Sequence, residues 1–306
     1  MKQTVIITGA NGFIGRYLSR LYASKGWNII GIGNGEYLES DRIKWGLNRW
    51  IRSDITLDML KGIKDHIDLI IHCAGSASVP LSVNAPYLDF LSNVRTTLDV
   101  LEYVRSCSPH TRVVFPSSVA VHGEVNHLPI TETDPLKPIS PYGVHKKIAE
   151  ELCVSYAGNF SVPVSIVRLF SVYGPGLRRQ ILWDVCNRVT NHDNSPFYGT
   201  GNETRDFIHV EDAAELLYLA GENTGQAVLI VNGGSGVSTA IRDLISEIYL
   251  ELNCELNPEF SLKVKEGDPV HYQADLSRAQ TLGWAPKKDI HQGLLDYVNW
   301  FREDIR

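Results

Sequence analysis

The sequence lacks any paired cysteine pattern. Its five cysteines, Cys73, Cys107, Cys153, Cys186 and Cys254, are odd in number, far apart and never spaced C-x-x-C. That excludes a disulfide framework and speaks against a zinc site, so no metal is expected and a reducing, cytoplasmic setting is. Long apolar runs are missing too. No stretch approaches the ~20 residues that span a bilayer, and the start, Met1 to Ile7, is too short an apolar segment for a signal peptide. No membrane partner is expected. There is no excess of positive charge: 29 Lys and Arg stand against 35 Asp and Glu, a formal charge of −6. With its basic residues scattered, the chain has no electrostatic grip for nucleic acid. Internal repeats and low-complexity tracts are absent. The glycosylation-type triplets at Asn159 and Asn202, without a secretion signal, read as chance.

What is present is an ordinary globular composition over 306 residues, 43% hydrophobic and 21% charged, enough for a full core. Short apolar runs alternate with longer helical patterns. Val5–Ile7, Trp27–Ile32, Asp68–Ile71, Arg112–Phe115 and Val164–Leu169 read as strands; Phe13–Ser24, about 87–105 and Tyr142–Tyr156 read as helices. Near-continuous apolar strands separated by helices predict an α/β fold, a Rossmann-type doubly wound parallel sheet covered on both faces. After Leu169, Gly, Pro and Asn become frequent. Core-like segments return at Phe207–Ala220 and Ala227–Val231, and an amphipathic helix is predicted over Gln292–Phe301. The expected organisation is a dinucleotide-binding domain over 1–171 plus 204–232, with a smaller substrate-binding lobe over 172–203 plus 233–306.

Directly after the first strand comes Thr8-Gly9-Ala10-Asn11-Gly12-Phe13-Ile14-Gly15. Glycines spaced by three let the backbone turn tightly and approach a pyrophosphate. The next helix aims its unpaired N–H groups and positive dipole end at that anion, and Gly15 permits close helix–strand packing. Such a triplet alone is weak; between an N-terminal strand and an amphipathic helix it is a dinucleotide signature. A carboxylate at the end of the second strand would bond the adenosine ribose and select NAD. Here that end reads Gly31-Ile32-Gly33-Asn34-Gly35, with no acid at Gly33. NADP(H) is therefore favoured, with Arg16, Arg42 or Lys44 as phosphate partners. NAD(H) stays open if Asn34 or Glu36 serves the ribose.

Ser140-Pro141-Tyr142-Gly143-Val144-His145-Lys146 opens a helix, with proline suited to its first turn. Residues four apart share a helix face, and among thirteen tyrosines only Tyr142 has lysine at that offset. An ammonium beside the phenol lowers its pKa and lets it exchange a proton with a substrate oxygen near neutrality. Val113 to Ser118 ends another strand, where ligands of doubly wound sheets sit. Ser118 is expected to hydrogen-bond the same oxygen, with Ser117 beside it on the substrate side. The bland alternative is that both serines start a turn.

These residues together resemble the extended short-chain dehydrogenase/reductase family, in its branch of nucleotide-sugar epimerases, dehydratases and reductases. The likeness covers nearly the whole chain. It implies a nucleoside-diphosphate sugar as substrate and a homodimer. It also implies that Asp54 and Ile55 lie at the adenine, and that Cys73, Ala74, Gly75 and Asn93 line the dinucleotide with Lys146. Ser171 and Arg205 would lie at the sugar diphosphate, and Lys265 and Asp268 beside it. His122 stands where the family usually has Tyr, either at the substrate or packed at the sheet edge.

Departures from the family pattern narrow the reaction. Val119 and Ala120 follow Ser118, so the acids that drive dehydration or decarboxylation in relatives are missing. Two reactions remain at C4 of the hexose. An NADPH-dependent 4-ketoreductase is favoured by the uncharged strand end and the short chain. A 4-epimerase with tightly held NAD is the alternative. A non-catalytic NAD(P)-binding regulator is a third reading, since fold does not fix function.

Overall fold

A computed structural model describes residues 2–263 and 270–305; Lys265 and Asp268 lie outside the described residues. Seven strands form the main sheet: Thr4–Thr8 (β1), Asn28–Gly33 (β2), Arg49–Arg52 (β3), Leu69–His72 (β4), Arg112–Ser118 (β5), Val164–Leu169 (β6) and, after two short strands, Leu229–Gly233. The order is β3-β2-β1-β4-β5-β6 with Leu229–Gly233 outside β6, and every pairing is parallel. The fold is thus the Rossmann-type doubly wound sheet that the apolar runs imply. β1 is buried throughout, as a strand covered on both faces must be. Strand order reverses between β1 and β4, so the ligand crevice opens at their carboxyl ends.

Each face of the sheet has its own core. Leu18 and Tyr22 of the helix Phe13–Ser24 pack with Ala213 and Leu217 of the helix Val210–Glu222 on one side. Val100, Leu101 and Val104 of Thr96–Cys107 pack with Ala149 and Cys153 of Pro141–Phe160 on the other. The helix expected near 87–105 is a composite: Pro86–Phe90, a π turn at Leu91–Arg95, then Thr96–Cys107. Strand β3, not read in the sequence, is short, and its four residues are exposed or half-buried, so it carries no apolar run to recognise.

A third core gathers Tyr173, Leu182, Val185, Phe207, Leu244, Ile248, Leu294 and Tyr297, among others. Beside it lies a small sheet in which Thr204–His209 pairs parallel with Ser171–Tyr173 and antiparallel with Ser238–Ala240. Thr204–His209, grouped by sequence with the dinucleotide-binding part, therefore pairs in the small sheet. The chain leaves the main sheet at Ser171 and returns alongside its point of departure. No helix among the described residues is long and apolar enough to cross a membrane.

Candidate active site

Backbone crowding at the first crevice explains its glycines. Gly9 has φ +67°, and a Cβ there would lie 2.9 Å from Ala74 N. A Cβ on Gly15 would collide with the Gly9 carbonyl, so the helix can start this close to the loop only with glycine at 15. Gly12 caps that helix without a side-chain hydrogen bond. The first-turn N–H groups, flanked by Phe13 and Ile14, thus have no side-chain acceptor, the arrangement that takes an anion. The residues present fit a dinucleotide pyrophosphate.

The end of β2 is tighter than its glycines suggest. A Cβ on Gly33 would lie 2.9 Å from both Asn11 Oδ1 and Trp50 Cη2. The space beside Gly33 is filled, because β3 pairs alongside and lays Trp50 over the strand end. Asn34, exposed, donates from Nδ2 to Asp54 Oδ1 at 2.5 Å. Ile55 is buried in the second core.

Across the reversal, Thr8 Oγ1 accepts from Ala74 N at 3.0 Å and lies 2.9 Å from His72 Nδ1, whose Nε2 meets Thr96 Oγ1 at 3.1 Å. Burial holds the His72 pKa down to about 3 and pushes the half-exposed Cys73 thiol up to about 12. Gly75 is required by close approach: a Cβ there would stand 2.6 Å from Asn93 Oδ1. Asn93 sits on the π turn, its Nδ2 donating to Asp89 O at 3.2 Å and its buried Oδ1 without a partner among the described residues. Such turns recur at functional sites because they re-aim a side chain.

The proton-handling residues converge at the end of β5. Ser118 accepts from Ala120 N at 3.2 Å and caps the turn Val119–Val121, so it starts a turn and also faces Tyr142, to which it is hydrogen-bonded. Ser140 caps the helix Pro141–Phe160 through Gly143 N at 3.2 Å, and Tyr142 N donates to Ser82 Oγ at 3.0 Å. A Cβ on Gly143 would lie 2.5 Å from Ala120 O, so this glycine lets the helix start press onto the turn that holds Ser118. The Ser117 hydroxyl is buried without a partner among the described residues.

The electrostatics differ from the expectation. Burial pushes the Tyr142 pKa up to about 12; the Ser118 hydrogen bond pulls it down, the Asp89 charge raises it and Arg179 lowers it. Lys146 is engaged elsewhere. Its Nζ donates to Pro116 O at 2.9 Å and lies 4.5 Å from the Phe115 ring centre. Burial lowers its own pKa to about 8 against the opposing influence of Cys73 and Glu150. Sharing a helix face does not by itself pair the ammonium with the phenol: the Pro116 carbonyl holds it.

Sequence reasoning missed two buried pairs around this helix. His145 Nδ1 lies 2.6 Å from Asp89 Oδ2. Arg168, placed on β6 within an apolar run, donates to Glu150 at 2.8–3.2 Å and from Nη1 to Glu132 O at 2.9 Å. His122 joins that second group: it is 1% exposed, its Nε2 is 3.4 Å from Arg168 Nη1, and burial followed by the Arg168 charge lowers its pKa to about 4. Its imidazole is thus engaged at the sheet edge. A carboxylate four residues after Lys146, together with an arginine in a buried strand, was the available signal.

On the far side of the crevice, Ser171 begins the small-sheet strand. Arg205 donates from Nη1 to the carbonyls of Thr204 at 2.9 Å and Val270 at 3.3 Å, and its guanidinium stands 5.9 Å from the Tyr272 ring centre. Asp206, next along the chain, accepts from Ser235 N and Oγ, Gly236 N and Ala274 N at 2.5–2.9 Å. Neighbouring residues on a strand point to opposite faces, so Asp206 pins the returning loops while Arg205 takes the other side.

A nucleotide cradle at the sheet reversal, with a serine and tyrosine converging at the end of β5, is the outline of a dinucleotide-dependent enzyme. The sequence model of the NAD dependent epimerase/dehydratase family matches residues 5–233, and the chain belongs to that family, within the extended short-chain dehydrogenase/reductases. A protein of Methanocaldococcus jannaschii is 30% identical over 311 residues, with 99% of each chain covered. The UDP-glucuronate 4-epimerase of Thermodesulfobacterium geofontis is 28% identical over 315 residues, covering 98% of this chain and 96% of that one. Among solved structures, MoeE5 in complex with UDP-glucose and NAD superposes with a TM-score of 0.87 at 27% identity, covering 99% of this chain and 100% of that chain.

Proposed function

We propose that the chain is a UDP-sugar 4-epimerase that keeps one nicotinamide dinucleotide through the whole catalytic cycle. The observation that carries the reading is full-length likeness to a named 4-epimerase, 96% of which is covered. It displaces the 4-ketoreductase favoured from sequence, because the chain's length was one of the two grounds for that reading and does not separate it from epimerases. The other ground, the uncharged end of β2, concerns the cofactor and not the reaction.

The dinucleotide, when bound, supplies the hydride acceptor that is reused as donor. Tyr142 takes the proton from the C4 hydroxyl and returns it to that same oxygen when the ketone is reduced on its other face, and Ser118 holds this oxygen. Lys146 would hold the nicotinamide ribose. Val119 and Ala120 offer no second proton carrier, which suits a reaction whose only proton traffic is at one oxygen. Cys73, Ala74, Gly75 and Asn93 line the dinucleotide, Asp54 and Ile55 its adenine end, and Arg205 with Ser171 the sugar diphosphate. The third core with its small sheet is read as the substrate lobe. A homodimer is expected through Leu81, Val83, Tyr87 and Leu88, exposed apolar residues on the helices Val79–Asn84 and Pro86–Phe90 beside the Tyr142 helix.

The test incubates the purified full-length protein with UDP-glucose and, separately, UDP-glucuronic acid, with no reductant added, and resolves the C4 epimers by chromatography. Interconversion in either direction is expected. Absence of any epimer, with stoichiometric NADPH oxidation on a nucleotide-linked 4-keto sugar, would return the reading to a reductase.

A further inference from the structure

Asp206 is fully buried, and its carboxylate draws two returning segments onto the strand Thr204–His209. Oδ1 accepts from Ser235 N at 2.5 Å and from Ser235 Oγ at 2.8 Å. Oδ2 accepts from Gly236 N and from Ala274 N, each at 2.9 Å. The approach is close enough to need glycine: a Cβ on Gly234 would stand 2.6 Å from Oδ2, and Gly236 has φ +76°. Burial raises the Asp206 pKa, and these hydrogen bonds oppose it. Four donors on two oxygens call for an ionised carboxylate, because an amide would turn N–H groups towards one pair of them.

The two segments are the ones on which Arg205 leans. Past Gly236, the strand Ser238–Ala240 pairs with Thr204–His209 and sets Thr239 opposite Arg205. Before Ala274, Val270 O accepts from Arg205 Nη1 at 3.3 Å, and the Tyr272 ring centre lies 5.9 Å from the guanidinium. Gln273 Nε2 donates to Gly236 O at 2.9 Å and joins the two segments. The second segment also reaches across the crevice. Tyr272 donates to Gly123 O at 3.0 Å, and Ile130 N donates to Gln273 O at 2.8 Å. Gly123 lies just past the turn that Ser118 caps. A buried carboxylate that loses some of its donors, or donors that lose their carboxylate, are costly, so these contacts fix both segments in one place.

We infer that Asp206 is a positioning residue for substrate: by holding these two segments it fixes the Arg205 guanidinium where it meets the diphosphate of the nucleotide sugar. Asp206 acts from behind the strand, through the backbone of Ser235, Gly236 and Ala274, and makes none of these bonds to Arg205 itself. The inference rests on the nucleotide-sugar reading and on Arg205 at the diphosphate, and not on which reaction follows at C4.

The experiment is a double-mutant cycle on the full-length, NAD+-saturated protein, read by calorimetric titration with UDP. Asp206→Asn is expected to weaken UDP binding by roughly tenfold, the scale of one charge-assisted phosphate contact. With the UDP-sugar that is converted, KM should rise by a similar factor while kcat changes by less than about twofold. In an Arg205→Ala background the same substitution should change UDP affinity by less than about twofold, because a misplaced guanidinium and an absent one cost alike. Ser235→Ala removes one hydroxyl bond and leaves the backbone ones. Its smaller loss should likewise vanish without Arg205, which answers the question even where Asp206→Asn does not fold. Losses that add to that of Arg205→Ala overturn the inference, and so does unchanged UDP affinity in Asp206→Asn. Additive losses in a protein that binds UDP remove the role of Asp206 alone, whereas an unmodified protein that binds no UDP removes the nucleotide-sugar reading with it.

Discussion

Asp89 Oδ2 lies 2.6 Å from His145 Nδ1, in a pair whose side chains are 2% and 12% exposed. The pair joins the helix Pro86–Phe90 to the catalytic helix one turn from Tyr142, and the Asp89 charge raises the Tyr142 pKa. Replacing Asp89 with Asn removes that charge while keeping the shape. The Tyr142 pKa should fall, and the limb of the pH–rate profile that reports the tyrosinate should move to lower pH. An unmoved limb in Asp89→Asn with intact secondary structure would limit the pair to holding the two helices together.

Tyr142→Phe should lower turnover by at least the ~10²-fold typical of lost acid–base help, with dinucleotide affinity nearly unchanged. Lys146→Ala should weaken dinucleotide binding and slow turnover together. Steady-state kinetics with dinucleotide titration separates the two roles. Turnover near that of the unmodified protein in Tyr142→Phe would exclude its proton role.

Among the described residues Arg205 donates from Nη1 to backbone carbonyls and lies near the Tyr272 ring, and a guanidinium is the side chain best matched to diphosphate oxygens. Arg205→Ala should raise KM for the nucleotide sugar by roughly tenfold or more and lower kcat far less. A selective loss of dinucleotide affinity would place Arg205 at the wrong ligand.

Glu150 and Arg168 are each 3% exposed and joined by three hydrogen bonds. Glu150→Ala leaves the arginine buried and uncompensated, which should cost about 3–5 kcal/mol of stability. Urea unfolding measures it. A loss below about 1 kcal/mol would mean that Glu132 O and His122 suffice for Arg168.

The sheet was legible because strands such as Val5–Ile7 and Val164–Leu169 are apolar throughout, and the cradle because glycine spacing encodes backbone approach locally. Helix capping also reads locally, as with Ser140 before Pro141. What the sequence hid depends on residues distant along the chain. Trp50 closing on Gly33, Asp89 meeting His145 and Pro116 capturing Lys146 each require the strand and helix packing to exist first. Asp206 shows the same limit: its partners Ser235, Gly236 and Ala274 lie 29, 30 and 68 residues further along the chain.

The most direct measurement of the central claim follows one hydrogen. UDP-glucose carrying deuterium at C4 is converted by the full-length protein in ordinary water, with unlabelled dinucleotide added in excess. If one bound dinucleotide takes the hydride and gives it back, the UDP-galactose formed keeps the deuterium at C4. No epimer from either UDP-glucose or UDP-glucuronic acid so labelled, or an epimer whose C4 label has passed to the added dinucleotide or to water, would contradict the account.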